Sequence, residues 1–171
     1  MEKLAKERSR RKAIIVLTDG VDTSARDLDR ALLDKSDPKQ VDTVIQADSN
    51  QSLNQVLNRA DAQGVTIYPL ALPTGDPEKL ADPTPAQIAM FKAARERLEY
   101  MANRSGGRLN SINRLEEMGR LYAEVAAEIR TLYTIEYSST NEKRDGKWRD
   151  IKIDVRDPNL ISRTRQGYYA K

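Results

Sequence analysis

The sequence holds 26 Asp and Glu residues but no His and no Cys, so any metal or acid–base chemistry must run on carboxylates. That excludes disulfides, thiolate and imidazole zinc sites, Cys nucleophiles and any triad with His as its base. A metal held here would be a hard cation such as Mg²⁺ or Ca²⁺ with oxygen ligands. The best placed acid is Asp19, which directly follows Ala13-Ile14-Ile15-Val16-Leu17-Thr18, with Asp22 three residues further on. Open α/β sheets bind ligands outside the carboxyl ends of their strands, and Asp19 falls at such an end. The plainer reading makes Asp19-Gly20 a strand-to-loop turn, with Asp22, Thr23 and Ser24 capping the next segment.

Other groupings point away from chemistry. Glu116, Glu117, Glu124 and Glu128 lie at helical spacing beside Arg120 and Arg130, the pattern of a solvated, salt-bridged face. Arg144, Lys147, Trp148 and Arg149 interleave cations and aromatics with Arg163, Arg165, Tyr168 and Tyr169. That mixture could stack on a single nucleic-acid strand. The preferred reading has the aromatics anchoring the chain end against the last helix while the cations stay wet. Gly106-Gly107 has no phosphate-loop context and reads as a helix stop. No nucleophile is assembled with a base, so the expectation is a non-enzymatic chain.

The elements that must position Asp19 are set by periodicity. Ala13 to Leu17 is a continuous β-branched run, the pattern of a strand buried on both faces in a parallel sheet. Residues 21–51 are polar and predict loop, with Leu28, Ala31, Leu32 and Leu33 able to make a brief helix. Leu53, Val56, Leu57 and Ala60 predict a helix from Ser52 to Gln63, capped by Ser52 and closed by Gly64. Val65 to Leu72 is a second strand, in which Pro69 needs a position that tolerates its missing N–H. Helices over Ala86–Asn103 and 114–131 flank a short strand candidate, Arg108 to Ile112. The order to this point is β, α, β, α, β, α.

The last forty residues switch to period two: Tyr133, Ile135 and Tyr137, then Ile151, Ile153 and Val155, then Ile161 to Tyr169. With Asp145-Gly146 and Asp157-Pro158-Asn159 as turns, they predict an antiparallel meander. The fold expectation is thus one α/β domain over 1–171. Residues 12–132 form a partial doubly wound, Rossmann-like sheet with helices on both faces, and residues 133–171 form the antiparallel extension.

Composition sets the outer limits. At 39% hydrophobic, 32% charged and a mean hydropathy of −0.70, with no apolar run near the ~20 residues of a membrane span, the chain reads as soluble. A net charge of +3 is too mild and too mixed to argue nucleic acid. The basic amino terminus, Lys3, Lys6, Arg8, Arg10, Arg11 and Lys12, reads as a solvated helix end, and Ala13–Leu17 is too short for the apolar region of a signal peptide.

Three segments taken in order resemble a known family. Arg11-Lys12-Ala13-Ile14-Ile15-Val16-Leu17-Thr18-Asp19-Gly20-Val21-Asp22-Thr23 is similar to the fourth strand and following loop of von Willebrand factor type A domains. Ala62 to Leu72 resembles the next helix end and strand, and Gly106-Gly107-Arg108 resembles the approach to the last strand. The chain end, from Tyr137 through Arg144-Asp145-Gly146-Lys147-Trp148-Arg149 to Gly167-Tyr168-Tyr169-Ala170, is similar to a bacterial subgroup that is often exported. The resemblance implies a doubly wound sheet, protein–protein adhesion, and a cation held by an Asp-x-Ser-x-Ser loop, a Thr and an Asp after the fourth strand. Asp19 matches only the last of these. Neither Asp22-Thr23-Ser24-Ala25-Arg26 nor Asp48-Ser49-Asn50-Gln51-Ser52 supplies the Asp-x-Ser-x-Ser loop, so the first strand is expected to be missing. Asp19, with Asp22 acting through water, then offers Mg²⁺ at most a weak, incomplete site. Strand Ala13–Leu17 is left with an unpaired apolar edge, which predicts self-association or pairing with a protein partner, the alternative being that the amino-terminal segment or the carboxyl-terminal meander folds over it. The competing expectations are a structural module that binds no metal and a carboxylate-only hydrolase.

Overall fold

A computed structural model describes residues 4, 11–36, 44–79 and 81–170. Lys3, Lys6, Arg8 and Arg10, with most of the helix expected over 2–11, lie outside the described residues, as does Pro38. The fold is mixed α/β. Strands β1 (Lys12–Thr18) and β2 (Val65–Ala71) pair in parallel over their full lengths, from Lys12 opposite Val65 to Thr18 opposite Ala71. The short β3 (Asn110–Ser111) pairs in parallel with the other side of β2, giving the order β1-β2-β3. Helices α1 (Thr23–Leu33) and α2 (Gln51–Gln63) connect β1 to β2, α3 (Pro85–Ser105) connects β2 to β3, and α4 (Met118–Arg130) follows β3.

Local chemistry sets the helix ends. Asn50, not Ser52, caps α2: its extended backbone lets Oδ1 accept the Leu53 N–H at 2.9 Å. Gly64 closes the helix at φ 63, as its sequence position predicts. Helix α3 opens with a capping box between Thr84 and Gln87 and with Pro85 in its first turn. The stretch expected to be mostly loop contains the eleven-residue α1, whose Leu33 packs with Ile45, Ala89 and Ala93 against α3.

The sheet is covered on both faces. Ile14 and Val16 of β1 and Val65 and Ile67 of β2 pack with Leu57 and Ala60 of α2 and with Tyr100 and Met101 of α3. Ala13 and Ile15 join Tyr68 and Leu70 on the opposite face, against Leu121, Val125 and Ile129 of α4. This alternation follows from the two-residue period of a strand.

The two long strands differ in burial. β2 is buried almost throughout, whereas β1 is half-buried along most of its length and Leu17 is 42% exposed. The expectation that β1 is buried on both faces is therefore met only in part: both faces pack against helices, but β2 has a strand on each flank and β1 has one on a single flank among the described residues, which leaves β1 half-buried.

The carboxyl-terminal part also departs from expectation. A two-stranded antiparallel ladder of β4 (Trp148–Asp150) and β5 (Gly167–Tyr169) forms instead of a three-stranded meander. It continues a little through the Ile151 N–H donating to the Gln166 carbonyl at 2.8 Å. Residues 132–139 are not a strand; Tyr133 is 92% exposed and Ile135 is 61% exposed. Their alternation encodes a strand, but no described strand lies beside them to pair.

Candidate functional site

Asp19 sits where the sequence places it, at the carboxyl end of β1, half-buried in a tight turn. Its Oδ1 accepts the Val21 N–H at 3.1 Å, and the Gly20 N–H donates to Thr18 Oγ1 at 3.0 Å. Gly20 has φ +85, and a Cβ there would meet Leu98 Cδ1 at 3.0 Å. A Cβ on Gly75 would lie 1.9 Å from the Asp19 carbonyl oxygen, so the turn after β2 rests directly on Asp19 and requires glycine.

Asp19 and Asp22 line one cleft of about 330 Å³. Asp29, Thr74 and Gln87 add oxygens to its wall, and Arg26, Arg30 and Arg97 add three guanidiniums. Asp29 is committed to Arg97: Nη1 and Nη2 donate to its two carboxylate oxygens at 2.6 and 2.7 Å, with both residues buried. This bidentate pair ties α1 to α3 beneath the cleft. Among the described residues, no group of three or more acidic side chains is disposed to hold a metal ion. The cleft's charges balance, three acids against three arginines, and Mg²⁺ asks for six oxygens in near-octahedral array. These residues do not fit a complete cation site.

The remaining groupings pair with their neighbours. Arg120 and Glu124 meet at 2.5 Å as the i,i+4 pair the spacing predicts, whereas Glu128 accepts from Arg163 of the carboxyl-terminal part at 3.0 Å and Glu117 accepts the Asn113 backbone N–H at 3.2 Å. The aromatics of the last forty residues anchor differently from expectation. Trp148 lies under the Arg104 guanidinium, 3.8 Å from the ring centroid, and packs edge-on against Tyr169. The anchor is therefore the end of α3 rather than the last helix, because Arg104 offers a cation to the ring faces. Arg104 also contacts Asp61 of α2 at 2.5 Å and donates to Asn58 Oδ1 at 3.3 Å. Burial pushes the Asp61 carboxyl above its ordinary range, against the opposing pull of Arg104. In the adjoining cleft of about 500 Å³, Trp148 Nε1 donates to Asp150 at 2.6 Å and Tyr100 Oη to Asn54 at 3.0 Å.

Comparison with family models, curated proteins and solved structures finds no match to this chain.

The expected open edge at Ala13–Leu17 has a specific hydrogen-bonding parity. The Thr18 carbonyl accepts the Leu72 N–H at 2.8 Å, so Thr18 faces β2. Along a parallel ladder the backbone groups of alternate residues point to alternate sides. Lys12, Ile14 and Val16 then also face β2, while the N–H and C=O of Ala13, Ile15 and Leu17 face outward, with no partner among the described residues. On β2 the same parity aims Ile67 and Pro69 at the β3 side. There Ser105 Oγ accepts the Ile67 N–H at 2.9 Å, and Pro69 needs no acceptor. The sequence places Asp19 and Asp22 just past the end of β1 and Pro69 within β2, where the structure has them. It does not reveal Arg97–Asp29, Arg104 or Ser105, which act across 68, 43 and 38 residues of chain and carry no local signature.

Proposed function

We propose that this chain is a von Willebrand factor A-like interaction module, non-catalytic, that engages other protein through the outer edge of β1. The observation that carries the reading is the edge itself. Five consecutive apolar residues, Ala13 to Leu17, are paired on one flank only among the described residues, with Leu17 42% exposed near the end of the strand. Edges of this kind template strand addition, and proteins that avoid it place charges, prolines or bulges there. Ala13 to Leu17 holds none of these.

The parallel β1-β2-β3 order, the helices on both faces and Asp19 at the strand end all agree with a partial doubly wound sheet of that family. Asp19 and Asp22 then stand as the remnant of a cation site. The three neighbouring arginines leave Mg²⁺ binding weak, and any cation effect is secondary to the edge.

A photoreactive benzophenone amino acid at position 17, with the same group at exposed Glu96 of α3 as control, tests the reading. Covalent protein adducts, with its own copies or with another protein, are expected at position 17 and not at position 96. Equal yields at both positions, or none at 17, would overturn it.

A further inference from the structure

Resting on that interaction reading, we propose that the occupant of the β1 edge is a second copy of this chain, joined antiparallel about a two-fold axis at Ile15. The outward-facing residues are Ala13, Ile15 and Leu17. Centring on Ile15 sets Ile15 against the partner's Ile15, Ala13 against the partner's Leu17, and Leu17 against the partner's Ala13. Each outward residue thus meets another outward residue, so every free N–H and C=O on both strands finds a partner. Shifting the register by one residue aims outward groups at residues that already face β2, and shifting it by two leaves an outward residue on each copy unpaired.

The side chains fit the same register. On the α4 face Ile15 meets its own copy and Ala13 meets Leu17, so a small residue opposes the larger exposed one. On the other face Ile14 meets Val16. Cross-strand pairs of apolar residues are the unit by which antiparallel sheets gain stability.

Charge selects antiparallel over parallel. β1 begins with Arg11 and Lys12 and ends at Asp19, with Asp22 just beyond. The register centred on Ile15 brings Arg11 opposite the partner's Asp19, and Asp19 opposite the partner's Arg11. A parallel pair would set the Arg11 and Lys12 of one copy against the same cations of the other, which is unfavourable, whereas the antiparallel pair keeps them apart. The Arg11 side chain leans over the end of α4, with Nη1 3.2 Å from the Arg130 carbonyl, and is exposed there. The assembly has the self-complementary form of an isologous dimer and continues two three-stranded sheets into one of six.

Sedimentation velocity on the 171-residue chain, with engineered cysteines to fix the register, tests this. The wild-type chain is expected to move, as concentration rises, from 19.3 kDa to twice that mass. Leu17→Lys puts a cation beside the partner's Arg11, and weakens association about tenfold or more with the circular dichroism unchanged. Because the chain has no Cys, disulfides report the register directly. A mixture of Ala13→Cys and Leu17→Cys chains gives a cross-linked heterodimer, since residues in a hydrogen-bonded antiparallel pair sit about 5.5 Å apart, within disulfide reach. Leu17→Cys alone gives none, because four residues of offset hold the two sulfurs' backbones about 14 Å apart. A 19.3 kDa species at every concentration overturns self-pairing, as does efficient Leu17→Cys cross-linking on its own. A monomer whose position 17 still labels a different protein loses only the self-pairing, whereas failure of labelling at position 17 removes the interaction reading as well.

Discussion

β1 and β2 are both seven residues long, both apolar, and paired to one another residue for residue, yet they live in different surroundings. β2 has Tyr68, Pro69, Leu70 and Ala71 withdrawn from solvent, helices on both faces and hydrogen bonds on both flanks. β1 has the same two faces but, among the described residues, one satisfied flank. A sequence encoding full burial that meets only partial burial marks the place where the fold asks for something more. The difference lies in backbone hydrogen bonding as much as in side chains: β2 recruits Ser105 where β3 is too short to reach Ile67, and β1 has no such substitute among the described residues.

The largest effect is expected at the buried ion pair that ties α1 to α3 beyond the carboxyl end of β1. Arg97→Ala leaves Asp29 buried without its partner, and urea unfolding should register a loss of about 3–5 kcal/mol. The sharpest direct comparison is between the strands themselves. Leu70→Ala in β2 should cost about 2–5 kcal/mol by the same measurement. Leu17→Ala in β1, measured in dilute solution, should change stability by only about 0.5 kcal/mol. Equal costs would mean the two strands are equally enclosed.

A smaller effect is expected where β2 borrows its hydrogen bond. Ser105→Ala strands the buried Ile67 N–H and should destabilise by about 1–3 kcal/mol in thermal or urea melts. The smallest concerns pH. Burial raises the Asp61 carboxyl above its ordinary 3.8, so the native state retains a proton that the unfolded chain releases. Its ionisation therefore subtracts stability as pH climbs from 3.8 through the raised value. Melts across that window should show Asp61→Asn with a less negative slope than the wild-type chain.

Much of this architecture is legible in the residues. Gly64 after an amphipathic run, Pro69 within an apolar one and Asp19-Gly20 after a β-branched one each act through their immediate neighbours, so local chemistry is enough to place them. The hidden part is relational. Tyr133, Ile135 and Tyr137 alternate as a strand does, but alternation says which face a residue would share and nothing of whether a partner strand lies alongside. Arg104 looks like any helix-terminal cation until Trp148 arrives beneath it from 44 positions further along the chain. The candidate cation site divides in the same way. Asp19 and Asp22 are legible as acids near a strand end, with Arg26 and Arg30 close by in sequence on α1, while Arg97 of α3 is brought to the same cleft only by folding.

The central claim, that one flank of β1 is open to another strand, is tested most directly by residue-resolved amide hydrogen exchange along Ala13 to Leu17 in dilute solution. An open flank predicts alternation: Ile14 and Val16 protected through their bonds to β2, with Ala13, Ile15 and Leu17 exchanging much faster. Uniform protection of all five amides, unchanged on further dilution, would contradict it by showing that the edge is already filled within the chain.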